Sequence, residues 1–379
     1  MSSLLTWTFY HVSLLPGAHP PGHDGAGEWV TFACASARRK PAPSDPAKLA
    51  GHCGMPSWAR LQENGGSYRA SSSSEWGVPM MQHTEVLRTH INAPDLLVMP
   101  GIFDGFSARL VEQAGFAAGF ISGGGLSETL LGYSDVGLMG FELNLAAVTR
   151  LVACCRIPLL ADADTGYGNA VNVYHTARAF EQAGLAGLMI EDQTWPKRCG
   201  HMSGKAVIAA EEMVEKVHAA CDARRDPAFI VKARTDAFAT HGLQEVLRRL
   251  TLYAEAGADL VFADALVSEQ DIAVVARHVP KPLCVNMGFG IRTRATTPLI
   301  SPVRLQELGV AVVIYPRLLT ACAIRGMQHG IATLREAMQS TTVIERPDLA
   351  VSFEELNALV GFAEVQERER RYTPKAVQA

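Results

Sequence analysis

Two short segments concentrate side chains able to do chemistry. Asp162-Ala163-Asp164-Thr165-Gly166 puts two carboxylates two positions apart at the end of an apolar run, and Glu191-Asp192 closes the next run. Side chains two apart on a strand share a side, so Asp162 and Asp164 are expected together, where they repel unless a cation lies between them. With Glu191 the candidate ligands are all oxygen, which favours Mg2+ or Mn2+ over zinc. The competing use of such carboxylates is to cap helices and turns.

Shortly after Glu191 comes Lys197-Arg198-Cys199-Gly200-His201, inside a connection of about 18 residues, long for a compact domain and suited to a moving lid. The flanking Lys197 and Arg198, with His201, favour the thiolate and make Cys199 a competent acid or base. Cys199 and His201 also read as a weak metal pair, and the stretch as a plain basic loop. Ser122-Gly123-Gly124-Gly125 forms a loop whose amides can approach an anionic oxygen with no Cβ in the way, or else a flexible turn. Lys232-Ala233-Arg234-Thr235-Asp236, Asp264 and Asn286 add cations and hydrogen-bond donors suited to a small-molecule carboxylate substrate. A lone Arg in such a place more commonly serves a structural ion pair.

Periodicity supplies the elements that must carry these residues. Eight β-rich runs are predicted at 96–100, 118–122, 157–162, 187–191, 229–233, 260–263, 282–286 and 310–315. Helical patterns, as at 171–182, 211–223 and 243–256, separate most of them. Gly115, Gly184, Gly257 and Gly309 each close a Glu-containing helix end just before an apolar run, where a left-handed cap turns the chain back to the sheet. Eight β/α units close a TIM-type (β/α)8 barrel, with the polar residues after each strand at its active face. The rival, a doubly wound open sheet, lacks a G-x-G-x-x-G after its first strand.

Composition agrees with a large folded core. The 379 residues are 48% hydrophobic and 19% charged, too apolar for a disordered chain. A formal charge of -4 offers no basic footprint for nucleic acid, and no apolar run approaches the roughly 20 residues of a membrane span. Eight cysteines without a C-x-x-C pair suggest reduced thiols in the cytoplasm. Residues 1–85, rich in Gly, Pro and Ser clusters, read as a mostly disordered extension, with Met80 or Met81 as an alternative start. Residues 86–340 read as the barrel and 341–379 as a helical tail for subunit or surface contacts.

The Lys197 to His201 loop, together with Ser122-Gly123-Gly124, Asp162 to Gly168 and Glu191-Asp192-Gln193, resembles the isocitrate lyase and phosphoenolpyruvate mutase superfamily over about residues 96–338. The likeness is greatest to its short-chain branch, which includes 2-methylisocitrate lyases, 2,3-dimethylmalate lyases, oxaloacetate-processing enzymes and carboxyphosphonoenolpyruvate phosphonomutases. It implies a barrel whose last helix is exchanged between paired subunits, assembled as a homotetramer. It implies Mg2+ near Asp162, Asp164 and, partly through water, Glu191. Ser122, Gly123 and Gly124 would then hold a substrate carboxylate, Asp135 would lie near the metal shell, and Arg234 would pair with the carboxylate or the departing enolate oxygen. Gly200, Asp264, Asn286 and Thr297 would complete the pocket.

By the same resemblance the reaction is a Mg2+-dependent retro-aldol cleavage of a 2-hydroxy di- or tricarboxylate to pyruvate or a related 2-oxo acid plus a second acid. Cys199 would protonate that second acid, with His201, Lys197 and Arg198 setting its thiolate balance. The alternatives are a phosphonomutase, an oxaloacetate decarboxylase or hydrolase, and a metal-binding barrel without catalysis. Three departures bear on the second substrate group: Asp264 where lyases usually have Glu, Phe120 where many have Tyr, and a longer basic loop at 288–294.

Overall fold

The computed structural model describes residues 82–200, 202–288 and 297–373. The expected extension thus lies almost wholly outside the described residues, as do His201 and most of the 288–294 loop. The elements run α1 (His83–Ile91), β1 (Leu97–Ile102), α2 (Gly105–Gln113), β2 (Gly119–Ile121), α3 (Gly123–Leu131), α4 (Phe141–Cys154), β3 (Leu159–Asp162), α5 (Ala170–Gln182), β4 (Gly187–Glu191) and α6 (Ala210–Ala223). They continue β5 (Ile230–Thr235), α7 (Phe238–Glu255), β6 (Leu260–Ala263), α8 (Glu269–His278), β7 (Leu283–Asn286), α9 (Pro302–Glu307), β8 (Val312–Tyr315), α10 (Leu318–Ala337), α11 (Phe353–Leu359) and α12 (Phe362–Tyr372). Every strand pairs in parallel with its sequence neighbour, and β8 returns to β1 to close the barrel.

Each predicted run is a strand, with β4 and β6 at the predicted limits and β1 and β5 each ending two residues later. The four glycines expected to turn the chain back do so with positive φ, from +80° at Gly115 to +107° at Gly257. One expectation fails locally. Ser122 to Gly125 is not a free loop: Ser122 caps α3, its hydroxyl accepting from Gly125 N at 3.1 Å, and the glycines form the helix's first turn. Glycine's poor helix propensity hid this from sequence, but the cap and the six residues Leu126 to Leu131 that follow outweigh it.

Period-two alternation then sorts the side chains. Val231, Ala233, Leu188 and Ile190 point outward into the layer shared with the helices, where Val173, Ala177 and Phe180 of α5 meet them. Met99, Phe120, Leu160, Met189, Phe262 and Cys284 point inward and fill the barrel, while Leu87 and Ile91 of α1 join this inner cluster. Lys232 shares the interior. Its ammonium lies 4.9 Å from the Phe120 ring centre and 4.6 Å from that of Phe262, a ring contact that offsets part of its desolvation. Burial nonetheless lowers its pKa from the usual lysine value.

Two residues beyond each of these inward side chains from β2 to β7, Lys232 included, the same face arrives at the mouth. Phe120 leads to Ser122, Leu160 to Asp162, Met189 to Glu191, Lys232 to Arg234, Phe262 to Asp264 and Cys284 to Asn286. The strands therefore fix the polar layer through the same alternation that packs the core.

Closure between β1 and β8 leaves no room for a side chain at Gly101, whose Cβ would run into the backbone of Pro316. Gly101→Ala should lower stability by about 1–3 kcal/mol through this overpacking. Urea unfolding monitored by circular dichroism would show a lower midpoint; an unchanged midpoint would mean the strap after β8 yields freely.

Candidate active site

Arg234, at the end of β5, is the most heavily engaged group in the mouth. Its Nε donates to Asp236 at 2.7 Å and lies 3.1 Å from Glu191 Oε2, and its Nη2 donates to Asp236 at 2.9 Å and Asp264 at 2.7 Å. Lys205 adds a second cation, 2.7 Å from Asp236 Oδ1, and also donates to the Gly200 carbonyl at 2.8 Å. Burial would raise the Asp236 carboxyl, but Arg234 and Lys205 together hold it well below the usual range. Behind this group stands Asp192, which accepts from Thr235 Oγ1 (2.7 Å), Asp236 N (2.9 Å), Arg249 Nη1 (3.0 Å) and Tyr253 OH (2.8 Å). Neither Lys205 nor the Asp192 and Arg249 pair was singled out by sequence, because their partners lie 31 and 57 positions away.

Asp164 reaches the cluster by a route other than alternation. β3 ends at Asp162, and Asp164 lies beyond it with φ +50°, its N–H donating to Asp162 Oδ1 at 3.0 Å. The Lys197 ammonium sits 2.5 Å from Asp135 Oδ1 and 2.7 Å from Asp164 Oδ1. This corrects one expectation: Lys197 serves the carboxylates. Arg198 is exposed and fastened through its backbone to Gln193, its N–H donating at 2.9 Å and its carbonyl accepting at 2.8 Å. Among the described residues the cation that touches Cys199 comes instead from the strap after β8, with Arg317 Nη2 at 3.4 Å from Sγ.

The lid itself is anchored at several points. Cys199 N–H donates to the Asp135 carbonyl at 3.1 Å, and Gln193 bridges to Val207 as an isolated antiparallel pair. Gly200 rests so closely on Asp264 that a Cβ would collide with its carboxylate. Ser122, Gly124, Asp135, Asn286 and Cys199 line one cavity together with Asp162, Glu191, Arg234 and Asp264. Gly123 faces the same cluster, since a Cβ there would lie 2.9 Å from Asp162 Oδ2. Thr297 is buried.

Charge balance bears on what else could bind. Asp135, Asp162, Asp164 and Glu191 outnumber Lys197 and Arg234, and Arg234 is shared with Asp236 and Asp264. Burial, with Asp162 and Asp135 nearby, pushes Asp164 up to about 7 against the pull of Lys197. Burial also raises Glu191 well above the usual range, against Arg234. Among the described residues Glu191 Oε1 and Asn286 Oδ1 are buried with no hydrogen-bond partner. Among the described residues no three His, Cys, Asp or Glu side chains already converge as a metal cage. The unpaired oxygen, the surplus negative charge and the all-oxygen donor set nevertheless fit a hard divalent cation.

The family model described as phosphoenolpyruvate phosphomutase matches residues 87–335. The chain belongs to this family. Among similar proteins of the phosphoenolpyruvate mutase family, 2,3-dimethylmalate lyase of Eubacterium barkeri is 37% identical over 286 residues, covering 76% of this chain and 96% of that one. The chloroplastic carboxyvinyl-carboxyphosphonate phosphorylmutase of Arabidopsis thaliana is 39% identical over 288 residues, covering 75% and 83%. A phosphonopyruvate hydrolase solved with oxalate and Mg2+ superposes with a TM-score of 0.68 at 28% identity, covering 77% and 99%.

Arg249 places a buried charge against Asp192, so its removal strands a carboxylate in the interior of the family barrel. Arg249→Met should cost about 3–5 kcal/mol of unfolding free energy, measured by urea titration. A loss below about 1 kcal/mol, the size of an exposed pair, would contradict the role given to this pair.

Proposed function

We propose that the protein is a divalent-metal-dependent carbon-carbon lyase that cleaves a 2-hydroxy di- or tricarboxylate of the 2-methylisocitrate or 2,3-dimethylmalate type. The observation that carries this reading is the Cys199 sulfur lining the same cavity as Asp162, Glu191 and Arg234. A thiol delivered by a lid, facing carboxylates and a fixed guanidinium, suits protonation of a carbanion formed when a carbon-carbon bond breaks. The relatives named as lyases support the same reaction class.

The residues divide the work. The amides of the first turn of α3, with Ser122 and Gly124 on the cavity, hold the carboxylate of the pyruvyl half at a helix N-terminus. Arg234, immobilised by Asp236 and Asp264, presents its charge to the oxygen that becomes the carbonyl. Glu191, on the cavity with Oε1 lacking a hydrogen-bond partner among the described residues, takes the 2-hydroxyl proton as the carbonyl forms; the bond electrons pass to the carbon of the second acid, and Cys199 gives that carbon its proton. Gly200, seated on Asp264, keeps the lid backbone close and water out. Asp162, Asp164 and Glu191 are the side chains that would hold Mg2+ or Mn2+, and the ion, when bound, supplies Lewis-acid polarisation of the 2-hydroxy acid. A phosphonomutase is the second reading, favoured by the 39% identity to the Arabidopsis enzyme, and phosphorus NMR of the products separates the two.

Assembly follows from α10. Ile324, Met327, Ile331 and Leu334 lie on this helix at spacings of three and four, all more than half exposed. We infer that a second copy covers them, as in a helix-exchanged dimer that pairs into a homotetramer. The cytoplasm is the proposed compartment. The described cysteines are free, and no described helix is long and apolar enough to cross a membrane.

Three outcomes are expected. Pyruvate should appear in a coupled assay with 2-methylisocitrate or 2,3-dimethylmalate, and EDTA should abolish it. Cys199→Ser should cut turnover about 10²–10⁴-fold while Mn2+ binding, read by paramagnetic resonance, stays intact; undiminished turnover would remove the acid role. Because Asp164 must lose its proton to bind metal, Mn2+ affinity should rise between about pH 6 and about pH 8, and a flat profile would contradict its place among the ligands.

A further inference from the structure

Three described cations around the cavity have their donors committed to carboxylates, and Arg198, which also lines it, is exposed. Arg234 is shared among Glu191, Asp236 and Asp264. Lys197 is held by Asp135 and Asp164, and Lys205 by Asp236. Arg317 differs. Glu128 of α3 takes both short bonds from a single nitrogen, Nη1, at 2.6 and 2.7 Å. Among the described residues Nη2 meets one hydrogen-bond acceptor, the Cys199 sulfur at 3.4 Å, and sulfur accepts weakly. The guanidinium is therefore fixed in place with strong donor capacity left over, facing the cavity it lines.

Its position relative to the α3 glycines says which part of a ligand it faces. A Cβ on Gly123 would lie 2.9 Å from Asp162 Oδ2, whereas one on Gly124 would lie 3.1 Å from both Arg317 Nη2 and Asp135 Oδ2. Along the first turn of α3, Asp162 thus lies over Gly123, and Arg317, which reaches Cys199, lies with Asp135 over Gly124. A substrate lying across that turn has its 2-hydroxy acid half over Asp162 and its departing half beside Arg317.

We propose that Arg317 binds the carboxylate of the departing acid, on the very carbon that Cys199 protonates. The inference deepens the lyase reading and rests on it. As the carbon-carbon bond breaks, its electron pair spreads onto that carboxylate, which gains a second negative charge until the Cys199 proton arrives at carbon. A guanidinium hydrogen bond to the carboxylate strengthens as this charge grows. Contact between Nη2 and the sulfur places donor, thiol and carboxylate within one another's reach, and the Glu128 clasp spares Arg317 the entropy of finding this pose. Arg317 is then the group that demands an acid on the departing side, the half in which the relatives' substrates differ.

Calorimetric titration of the Mg2+-loaded protein tests this without turnover. Pyruvate, succinate and propionate are titrated separately; the last two are the acids that 2-methylisocitrate and 2,3-dimethylmalate would release. Arg317→Met should weaken the acid that the wild type binds by about 10- to 100-fold while pyruvate changes by less than about twofold. Arg317→Lys, which keeps the charge and loses the planar fork, should restore part of the loss. Unchanged acid binding in Arg317→Met overturns the proposal, and so does an equal loss of pyruvate, the mark of a purely structural role. A wild type that binds pyruvate but neither acid overturns this inference alone. A wild type that binds none of the three overturns the lyase reading with it.

Discussion

Arg234 carries a guanidinium into the mouth of an apolar barrel, where a bare charge would be held out of water at large cost. The surrounding structure answers that charge. Glu191, Asp236 and Asp264 surround it from three adjacent strands, Asp192 steadies Asp236 through its backbone N–H, and Arg249 and Tyr253 steady Asp192 from α7. The lid joins the same network, since Lys205 ties Asp236 to the Gly200 carbonyl and Gly200 itself rests on Asp264. Folding the barrel, closing the lid and aiming Arg234 are thus one electrostatic problem solved once.

The opposite corner of the mouth is left unbalanced. Asp135 and Asp164 share Lys197 with Asp162 beside them, Glu191 shares Arg234 with two other carboxylates, and burial raises both Asp164 and Glu191. A barrel with one corner neutralised and the other holding surplus charge is suited to a ligand that arrives with a cation, and an anionic 2-hydroxy acid chelated to a divalent ion is such a ligand. On the proposed reading both corners meet the 2-hydroxy acid half, and Arg317 beside Cys199 meets the half that departs.

Much of this was legible in the chain because alternation is local. Asp162, Glu191, Asp264 and Asn286 each stand two residues after an inward apolar side chain and Arg234 two after the inward Lys232, so finding the strand finds the site residue. What stayed hidden depends on long-range partners or on departures from alternation. Lys197 and Cys199 are two apart, yet the first turns to Asp135 and Asp164 while the second meets Arg317, 118 positions away. Arg317 sits in no motif, and only barrel closure brings the strap after β8 beside α3 and the lid. Asp164 joins the carboxylates through a left-handed backbone turn, which period two does not describe.

The most direct measurement is cleavage in deuterium oxide, with both products followed by NMR. The account predicts one deuterium, in a single stereochemical position, on the carbon of the second acid next to its carboxylate, and an initially unlabelled pyruvate methyl group. Deuterium appearing instead in the pyruvate methyl, or at both faces of the second acid, would show that the electron pair goes elsewhere or that Cys199 is not the group that delivers the proton.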